Sequence, residues 1–359
     1  MRVDRLWLTD FRSYTSAELV PAPDGLTVVE GPNGEGKTNL LEAVAYLATL
    51  SSFRGAPDDA LVRAGAAQAV VRAEGEREGR SLLLEAEINV TGRNRVFVNR
   101  QPLKRGRDLL GALRVTVFSP DDLALIKGGP AERRRYLDDT LVSLHPRFDA
   151  LRSDVERVLR QRTTLLKQAG GRLTPEVEAT LDVWDAKLAS AGTALTEARE
   201  DLVRRLEPVV GKSYDQVAHA AADVTMSLQR SWDGLLTEAL AAARADDVRR
   251  GVTTVGPHRD ELALAIGGLP ARTHASQGEQ RSLALALQLA AHAVVTEATG
   301  ATPVLLLDDV FSELDPARTD ALLAHLPAGQ AILTTASPVP PAAVVAATVR
   351  VTAGKLAGA

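Results

Sequence analysis

Gly31-Pro-Asn-Gly-Glu-Gly-Lys-Thr38 decides the fold, because it matches the phosphate-loop pattern G-x-x-x-x-G-K-[ST] in full. It follows a β-branched run, Leu26-Thr-Val-Val-Glu30, and it leads into residues 37–50, whose apolar residues share one helical face. A strand, a glycine-rich turn and a helix in this order are typical of a loop that binds phosphate. The sequence therefore predicts an α/β fold, a mixed sheet with flanking helices, that binds ATP.

The loop supplies a specific contact for each part of the triphosphate. Glycines let the backbone curl so that its N–H groups point at phosphate oxygens. Lys37 is expected to reach the β- and γ-phosphates, and the Thr38 hydroxyl to bind Mg²⁺. The residues predicted here to bind nucleotide are Gly31, Asn33, Gly34, Gly36, Lys37, Thr38 and Asn39. The alternative is a glycine-rich turn that binds nothing, and the motif described next argues against it.

Two adjacent carboxylates end a strongly apolar run at Pro303-Val-Leu-Leu-Leu-Asp-Asp309. Such a run is typical of a buried parallel strand, and ligands bind at the carboxyl ends of these strands. Asp308 is predicted to hold Mg²⁺, and Asp309 to orient or deprotonate the attacking water. The predicted catalytic residues are thus Lys37, Asp308 and Asp309. Without the phosphate loop, a solvated acidic turn would explain the two carboxylates better; with the loop it does not.

Ser276-Gln-Gly-Glu-Gln280 precedes a long Ala/Leu-rich helix, predicted over residues 282–298. Ser276 and Glu279 have the spacing of a capping box, and a well-capped helix needs no further function. The same helix start also forms an anion site, with Ser276, Gln277 and Gly278 as predicted nucleotide contacts. Two separate phosphate-binding helix ends do not easily share one nucleotide within a chain. In a head-to-tail homodimer they would hold it from both sides.

The middle of the chain is predicted to be helical. Apolar residues recur at alternating spacings of four and three, from Leu137 to Val158 and from Val177 to Leu202. The loop 168–175 joins the two segments, and Pro146 is expected to interrupt the first. An antiparallel hairpin and an ordinary helical bundle both fit this pattern. The predicted domains are an ATPase domain of residues 1–118 and 252–359 and a helical arm of residues 119–251, whose second boundary falls between 211 and 251.

Composition narrows the protein class. The 359 residues carry a formal net charge of -4 and contain no cysteine, which excludes disulfides and thiolate metal sites. The longest apolar stretch, residues 283–295, is interrupted by Gln288 and His292 and is too short to cross a bilayer. We therefore expect a cytoplasmic protein without a membrane partner.

The order of these motifs resembles the ABC/SMC class of ATPases, and more closely the RecF family of bacterial recombination-repair proteins. The resemblance covers nearly the whole chain. The segments that carry it are Asp10-Phe-Arg-Ser-Tyr14, residues 31–41, Ser52-Phe-Arg54, Phe118-Ser-Pro-Asp-Asp122, Lys127-Gly-Gly-Pro130 with Arg133-Arg134, Val255-Gly-Pro-His-Arg-Asp260 and residues 305–315. It implies an SMC-like head with a shortened arm, ATP-dependent dimerisation, DNA binding and slow, DNA-dependent ATP hydrolysis. It also implies action with RecO and RecR in loading RecA at gaps.

The resemblance assigns further roles and reveals departures. It implies that Ser276 contacts the γ-phosphate of the partner's ATP and that residues 312–315 cross the dimer seam. Thr334 or Thr335 would take the switch position, where transporters often have histidine. Asp309 stands where these ATPases usually carry glutamate, and its shorter side chain predicts slow turnover. The glutamine that usually bridges metal and arm has no clear counterpart near Phe118-Ser-Pro120.

Two basic runs are candidates for DNA binding. A charge run is usually only a solvated face, but the resemblance favours contacts to the backbone of a DNA duplex or junction. The predicted residues are Arg93, Arg95, Arg100, Lys104, Arg105, Arg107, Arg133 and Arg134. Two other functions remain open on the residues alone. One is the ATPase chain of a transporter or other ABC machine, and the other is a P-loop kinase or hydrolase that acts on a small molecule.

Overall fold

The computed structural model describes residues 1–218, 221–352 and 354–358, without the side chain of Glu313. The chain forms two compact units. The first unit comprises Met1–Leu123, Lys212–Ala221 and Arg281–Ala359, and the second comprises Ala124–Gly211 and Ala222–Gln280.

The elements follow one another along the chain as strands β1 to β15 and helices α1 to α9. The strands are β1 (Arg2–Phe11), β2 (Tyr14–Leu19), β3 (Gly25–Glu30), β4 (Gln68–Arg77), β5 (Arg80–Asn89), β6 (Arg95–Val98), β7 (Gln101–Pro102), β8 (Val115–Phe118), β9 (Val224–Gln229), β10 (Glu261–Ile266), β11 (Leu269–Pro270), β12 (Val304–Asp308), β13 (Gln330–Thr335), β14 (Val345–Thr352) and β15 (Lys355–Gly358). The helices are α1 (Lys37–Thr49), α2 (Ala124–Lys127), α3 (Pro130–Leu144), α4 (Arg147–Gln168), α5 (Pro175–Ala218), α6 (Leu236–Arg250), α7 (Ala271–His274), α8 (Gln277–Thr299) and α9 (Pro316–Ala324).

The first unit contains two six-stranded sheets. One is antiparallel, in the order β2-β1-β4-β5-β6-β7. The other has the order β15-β14-β3-β13-β12-β8, and all its strands are parallel except β15. Because β3, β13, β12 and β8 run in the same direction, the segments that follow them lie at one edge of the sheet. The mixed α/β fold predicted from the sequence is confirmed.

Helix α1 packs in the core between the two sheets. Its predicted apolar face, Leu40, Leu41, Val44 and Leu47, is fully buried, as are Leu306 of β12 and Val71 of β4 in the same cluster. The opposite face of the parallel sheet packs against Leu285 and Leu289 of α8 and Leu322 of α9. The continuous burial of β12 explains why its sequence is apolar throughout.

The second unit is mostly helical, and its chain path confirms the predicted interruption and loop. Helix α3 ends at Leu144 and α4 begins at Arg147, so Pro146 separates them. The loop between Gln168 and Pro175 leads into α5, whose 44 residues correspond to about 66 Å of helix. Strand β9 pairs with β10, and β10 in turn pairs with β11.

Helices α4, α5 and α6 share one core, which decides between the two predicted helical arrangements. Leu166 of α4, Leu181 of α5 and Val248 of α6 form a buried cluster. The fully buried guanidinium of Arg162 in α4 donates to Asp185 of α5 (2.7 Å) and to Asp247 of α6 (2.6 Å). The helices therefore form a bundle rather than an isolated two-helix hairpin.

The boundary between the units differs from the predicted domains. Residues 252–280 belong to the second unit, because β10 pairs with β9 across six residue pairs. Residues 119–123 and 212–221 belong to the first unit, where Val217 packs in the cluster with Leu26 and Val28. Both corrections arise from contacts distant in sequence.

Within the described parts of the chain, α8 is the one helix long and apolar enough to cross a membrane. In the most apolar 18-residue stretch of this helix, 67% of the residues are buried inside the protein. The core helix of a folded domain has the same properties.

Candidate active site

The predicted phosphate loop joins β3 to α1, and close packing explains two of its glycines. A Cβ atom on Gly31 would lie 2.4 Å from the carbonyl oxygen of Val351. One on Gly36 would lie 2.6 Å from Oγ of Ser13, and Gly36 also has a φ of 100°, which favours glycine. The loop thus needs glycine because neighbouring elements approach its backbone, in addition to the curl expected for phosphate binding.

Lys37 is buried at the start of α1 and points back into the loop. Its ammonium donates to the carbonyl oxygens of Gly31 (2.7 Å) and Pro32 (2.8 Å). Burial lowers the pKa of Lys37, while the carboxylates of Asp309, Asp308 and Glu35 act in the opposite direction. The side chain therefore places a positive charge inside the loop, beside the acidic strand end.

Asp308 joins the phosphate loop to the end of the parallel sheet. Its Oδ1 atom accepts hydrogen bonds from Oγ1 of Thr38 (2.7 Å) and from Oγ1 of Thr334 (2.7 Å). The predicted metal ligands, Thr38 and Asp308, therefore lie in direct contact. Mg²⁺ in phosphate sites takes one or two protein oxygens and completes its shell with phosphate and water, so this donor set fits the ion.

Asp309 follows β12 with a φ of 47°, a left-handed conformation that few residues other than glycine, asparagine and aspartate adopt. Its backbone N–H donates to the carbonyl oxygen of Thr334 (3.0 Å) and contacts Oγ1 of the same residue (3.2 Å). Thr335 instead donates to the carbonyl oxygen of Ser337 (2.9 Å). Of the two candidates for the switch position, Thr334 is the one in contact with both acids.

The hairpin turn between β1 and β2 supports the phosphate loop, a role that was not predicted. The hydroxyl of Tyr14 donates to the carbonyl oxygen of Gly36 (3.1 Å), and Nδ2 of Asn39 donates to Oγ of Ser13 (3.0 Å). Asn39, predicted to bind nucleotide, thus has a structural contact as well. The segment Asp10-Phe-Arg-Ser-Tyr14 was a signal for this role, since it carries part of the family resemblance.

Arg12 of the β1–β2 turn forms an ion pair with Glu42 of α1. The fully buried carboxylate of Glu42 accepts from Nε (2.8 Å) and Nη2 (2.7 Å) of Arg12 and also from the hydroxyl of Ser52. The pair joins the β1–β2 turn and the segment Ser52-Phe-Arg54 to the same helix. The β1–β2 turn and the segment that follows α1 thereby hold this helix in place from two sides of the sequence.

Arg12→Met is expected to lower the free energy of unfolding by about 3 kcal/mol, because it leaves the buried Glu42 carboxylate without its cation. Urea unfolding measures this effect as a lower midpoint. The matched control is Arg5→Met, since Arg5 and Glu18 are each 49% exposed, and this change should cost less than about 1 kcal/mol. Equal midpoints for the two variants would show that the buried pair contributes little.

In the second unit, Ser276 and Glu279 form the predicted capping box. The backbone N–H of Ser276 donates to Oε2 of Glu279 (2.7 Å), and the N–H of Glu279 donates to Oγ of Ser276 (3.3 Å). Ser276 and Gln277 are exposed, whereas Gln280 is buried and donates to the carbonyl oxygens of Ala271 and Arg272. Because the Ser276 oxygen accepts in the cap, its hydroxyl hydrogen remains able to donate to an anion.

The prediction that Arg133 contacts DNA is corrected, because the structure buries this side chain in an ion pair. Arg134 also bonds within the protein. Arg133 is buried, and its guanidinium pairs with Glu261 through Nε (2.7 Å) and Nη2 (2.8 Å). Arg134 donates to the carbonyl oxygen of Asp260 (2.7 Å), and burial lowers its pKa. A run of arginines on one helix contains buried and exposed positions alike, which charge counting does not separate.

The segment Val255-Gly-Pro-His-Arg-Asp260 has a structural role in the second unit. Arg199 donates to both carboxylate oxygens of Asp138 (2.8 Å each) and to the carbonyl oxygen of Pro257 (2.7 Å). Asp260 accepts from Thr196 and from the backbone N–H of Ser231 (3.1 Å each). These buried contacts fix the segment to α3, α5 and the end of β9.

The other predicted DNA contacts fall in one stretch of the sequence of the first unit, between the end of β5 and the start of β8. All six are exposed: Arg93, Arg95, Arg100, Lys104, Arg105 and Arg107. Arg95 pairs with Glu87 (3.6 Å) and Arg105 with Asp108 (3.0 Å). The other four have no carboxylate partner among the residues that the structure describes. We call these four, Arg93, Arg100, Lys104 and Arg107, the basic edge.

The phosphate loop is bonded to a strand-end aspartate, and the helix that follows the loop lies between a parallel-stranded sheet and an antiparallel sheet. This arrangement defines an ATPase of the ABC/SMC class. The family model for the RecF/RecN/SMC N terminal domain matches residues 2–339. The chain belongs to this family, and within it to the RecF proteins.

The relatives span nearly the whole chain. The DNA replication and repair protein RecF of Streptomyces avermitilis is 47% identical over 94% of both chains. That of Cutibacterium acnes is 44% identical over 94% of this chain and 92% of its own. This family membership decides against the transporter and small-molecule alternatives.

Solved structures agree with this assignment. The recombination mediator protein RecF with ATP, from the RecFOR pathway, has a TM-score of 0.91 and 28% identity, over 100% of this chain and 97% of that one. An SMC head bound to the C-winged helix domain of ScpA has a TM-score of 0.61 at 17% identity, over 100% and 98% of the two chains. The second likeness concerns the fold alone.

Proposed function

We propose that this protein is an ATP-operated DNA-binding protein of replication and recombinational repair. In this proposal it closes as a homodimer around two ATP molecules, binds DNA in that state and opens after slow hydrolysis. The contact of Asp308 with Thr38 and Thr334 is the observation that carries it, because it joins the phosphate loop to the acidic strand end. The RecF relatives named above support the role in DNA replication and repair.

The chain's own groups have distinct tasks at the nucleotide. Lys37 and the loop N–H groups bind the phosphates, and Thr38 and Asp308 are the residues that would hold Mg²⁺. When bound, the ion neutralises phosphate charge as the γ-phosphoryl group is transferred. Asp309 accepts a proton from the attacking water, and Thr334 orients the two acids through the hydrogen bonds described above.

The helix start at Ser276 is the proposed second grip on the nucleotide. It is exposed, it has a free hydroxyl donor, and it carries the partial positive charge of a helix N-terminus. We propose that Ser276, Gln277 and Gly278 of one subunit contact the γ-phosphate held by the loop of the other. Dimerisation then depends on ATP and does not occur with ADP, which lacks that phosphate.

We further propose that the basic edge contacts the DNA backbone, and that the protein acts in the cytoplasm with RecO and RecR. Unpaired exposed cations have no internal ion pair to break when they meet a phosphate. Measuring DNA affinity with a slowly hydrolysed ATP analogue, with ADP and without nucleotide tests the function as a whole. Affinity for a gapped duplex should be highest with the analogue, and equal affinity in all three states would contradict the proposal.

Replacing all four residues of the basic edge by alanine should weaken DNA binding by more than about tenfold near physiological salt and leave assembly unchanged. The slope of log K against log salt should become shallower by about 0.9 for every phosphate that is no longer neutralised. The matched control replaces four exposed arginines, each of which forms an ion pair with a residue of its own helix: Arg157 and Arg160 of α4, Arg204 of α5 and Arg249 of α6. An equal effect of both quadruple changes would mean that net charge, rather than the basic edge, governs binding.

Asp309→Asn should slow ATP hydrolysis by at least about a hundredfold and prolong the lifetime of the ATP dimer, because the amide does not accept the water's proton. Asparagine also tolerates the left-handed backbone found at this position. Single-turnover hydrolysis measures the rate, and Asp121→Asn is the control for an exposed carboxylate in the first unit. Hydrolysis by Asp309→Asn at the unaltered rate would assign the water to another group.

A further inference from the structure

Asp122 accepts a hydrogen bond at each of its carboxylate oxygens, from two different parts of the first unit. Oδ2 accepts from the backbone N–H of Ser119 (2.8 Å), in the segment that follows β8. Oδ1 accepts from Nε2 of Gln288 in α8 (2.9 Å). One carboxyl side chain therefore fixes the segment after β8 to helix α8 through two directional hydrogen bonds.

The segment held by Asp122 lies beside Asp308, the proposed metal ligand. Strands β8 and β12 pair in parallel, and Phe118 lies opposite Leu307. Ser119 and Asp308 are the next residues in the two strands' directions, so both lie at the same sheet edge. This is the edge where Thr38 and Thr334 meet Asp308. The backbone that Asp122 positions is thus a wall of the candidate nucleotide site.

Helix α8 has a second polar link to this edge. Nε of Arg318 donates to Oγ of the fully buried Ser282 (3.0 Å). The same arginine bonds to Asp315, both through its guanidinium and through its backbone N–H (2.9 Å to Oδ1). Helix α8 is therefore bonded to the segments that follow β8 and β12, the strands on whose ends the site is built.

Helix α8 is also continuous with the proposed second grip, since it runs unbroken from Gln277, directly after Ser276, to Thr299. We propose that Asp122 and Gln288 are positioning residues that transmit the state of the nucleotide site to the start of α8. A nucleotide bound at the sheet edge of one subunit sets, through these two residues, the helix start that grips the partner's nucleotide. This inference rests on the proposed ATP-dependent homodimer.

Exchanging the carboxylate and the amide between positions 122 and 288 tests whether this hydrogen bond has the proposed role. Gln288→Glu places two carboxylates against each other and removes the donor to Asp122. Adding Asp122→Asn restores the contact in the opposite sense, because the new amide donates to residue 288 while its oxygen still accepts from the N–H of Ser119. The readouts are the dimer dissociation constant with ATP, the ATP affinity of the dilute monomer, and the thermal midpoint.

Gln288→Glu is expected to weaken ATP-dependent dimerisation at least about tenfold, and the double variant to return within about threefold of the unaltered protein. Monomer ATP affinity should change by less than about threefold in both, which a general loss of folding would not allow. Gln68→Glu, at a half-buried contact with Asn89 in the same unit, is the control for the charge change.

Three results have distinct meanings. Dimerisation of Gln288→Glu at the unaltered constant would overturn the positioning role. Equal weakening in the single and double variants would overturn it too, because restoring the bond would then restore nothing. Absence of an ATP-dependent dimer in the unaltered protein would instead refute the proposed function on which the inference rests.

Discussion

Lys37→Met is expected to abolish ATP-dependent assembly by removing nucleotide binding itself. The ammonium makes charge-assisted bonds at the end of the loop, and each such bond to a phosphate contributes about 1.5 to 3 kcal/mol. Removal of two bonds should weaken ATP affinity by at least about a hundredfold. Methionine keeps the length and apolar character of the stem, so the helix that carries it should remain folded. Titration with a fluorescent ATP analogue measures the change.

The control for this substitution is Lys212→Met, which changes an exposed lysine of the same unit. It should bind ATP and assemble as the unaltered protein does. If Lys37→Met retained its ATP affinity, the loop would not be the nucleotide site. The internal bonds of Lys37 to Gly31 and Pro32 would then be its whole role.

Ser276→Arg has the second large expected effect, namely loss of the dimer with ATP binding to the monomer preserved. The side-chain and backbone N–H bonds of Ser276 described above both join it to Glu279, so the substitution removes none of the loop's own hydrogen bonds. An arginine at this position adds bulk and removes the short hydroxyl that we propose to contact the phosphate. Light scattering with saturating ATP should show monomer mass, while nucleotide titration remains close to normal.

Two further variants separate the proposed grip from the helix cap. Ser276→Asp keeps a good capping side chain but sets a carboxylate against the γ-phosphate, so it should also block assembly. Thr174 caps α5 through the N–H of Val177 (3.4 Å) without any proposed ligand. Thr174→Arg should therefore dimerise normally. Normal dimerisation of Ser276→Asp would reduce Ser276 to a helix cap.

Local patterns were enough to predict the parts of this protein whose neighbours in space are also neighbours in sequence. The phosphate loop, the acidic end of β12 and the capping box at Ser276 each occupy a few consecutive residues. Their side chains need only the local strand or helix to meet their partners. The structure accordingly has each of these elements where the sequence predicted it.

The errors concern contacts between distant segments. The domain boundary depended on the pairing of β9 with β10, which no local pattern near residue 252 reveals. Arg133 was predicted to bind DNA because it stands in a basic run, yet Glu261, its partner, is far away in sequence. The links of Asp122 to Gln288 and of Tyr14 to Gly36 were missed for the same reason.

The resemblance and the structure complement each other at the site. The segments Asp10-Phe-Arg-Ser-Tyr14 and Ser52-Phe-Arg54 carried the resemblance without an assigned role. Their contacts with Gly36 and Glu42 now explain why a nucleotide site needs them, since they fix the start and the buried face of α1. The sequence has no clear counterpart of the bridging glutamine near Phe118-Ser-Pro120, and in the structure Asp122 anchors the backbone of this segment at Ser119.

Particle mass with different nucleotides tests the central claim most directly. Sedimentation of the unaltered protein should be compared without nucleotide, with ADP and with a slowly hydrolysed ATP analogue, each at concentrations that saturate the loop. The account predicts a doubling of mass with the analogue and monomer mass in the other two states. Monomer mass in all three, with nucleotide binding demonstrated in the same samples, would contradict it.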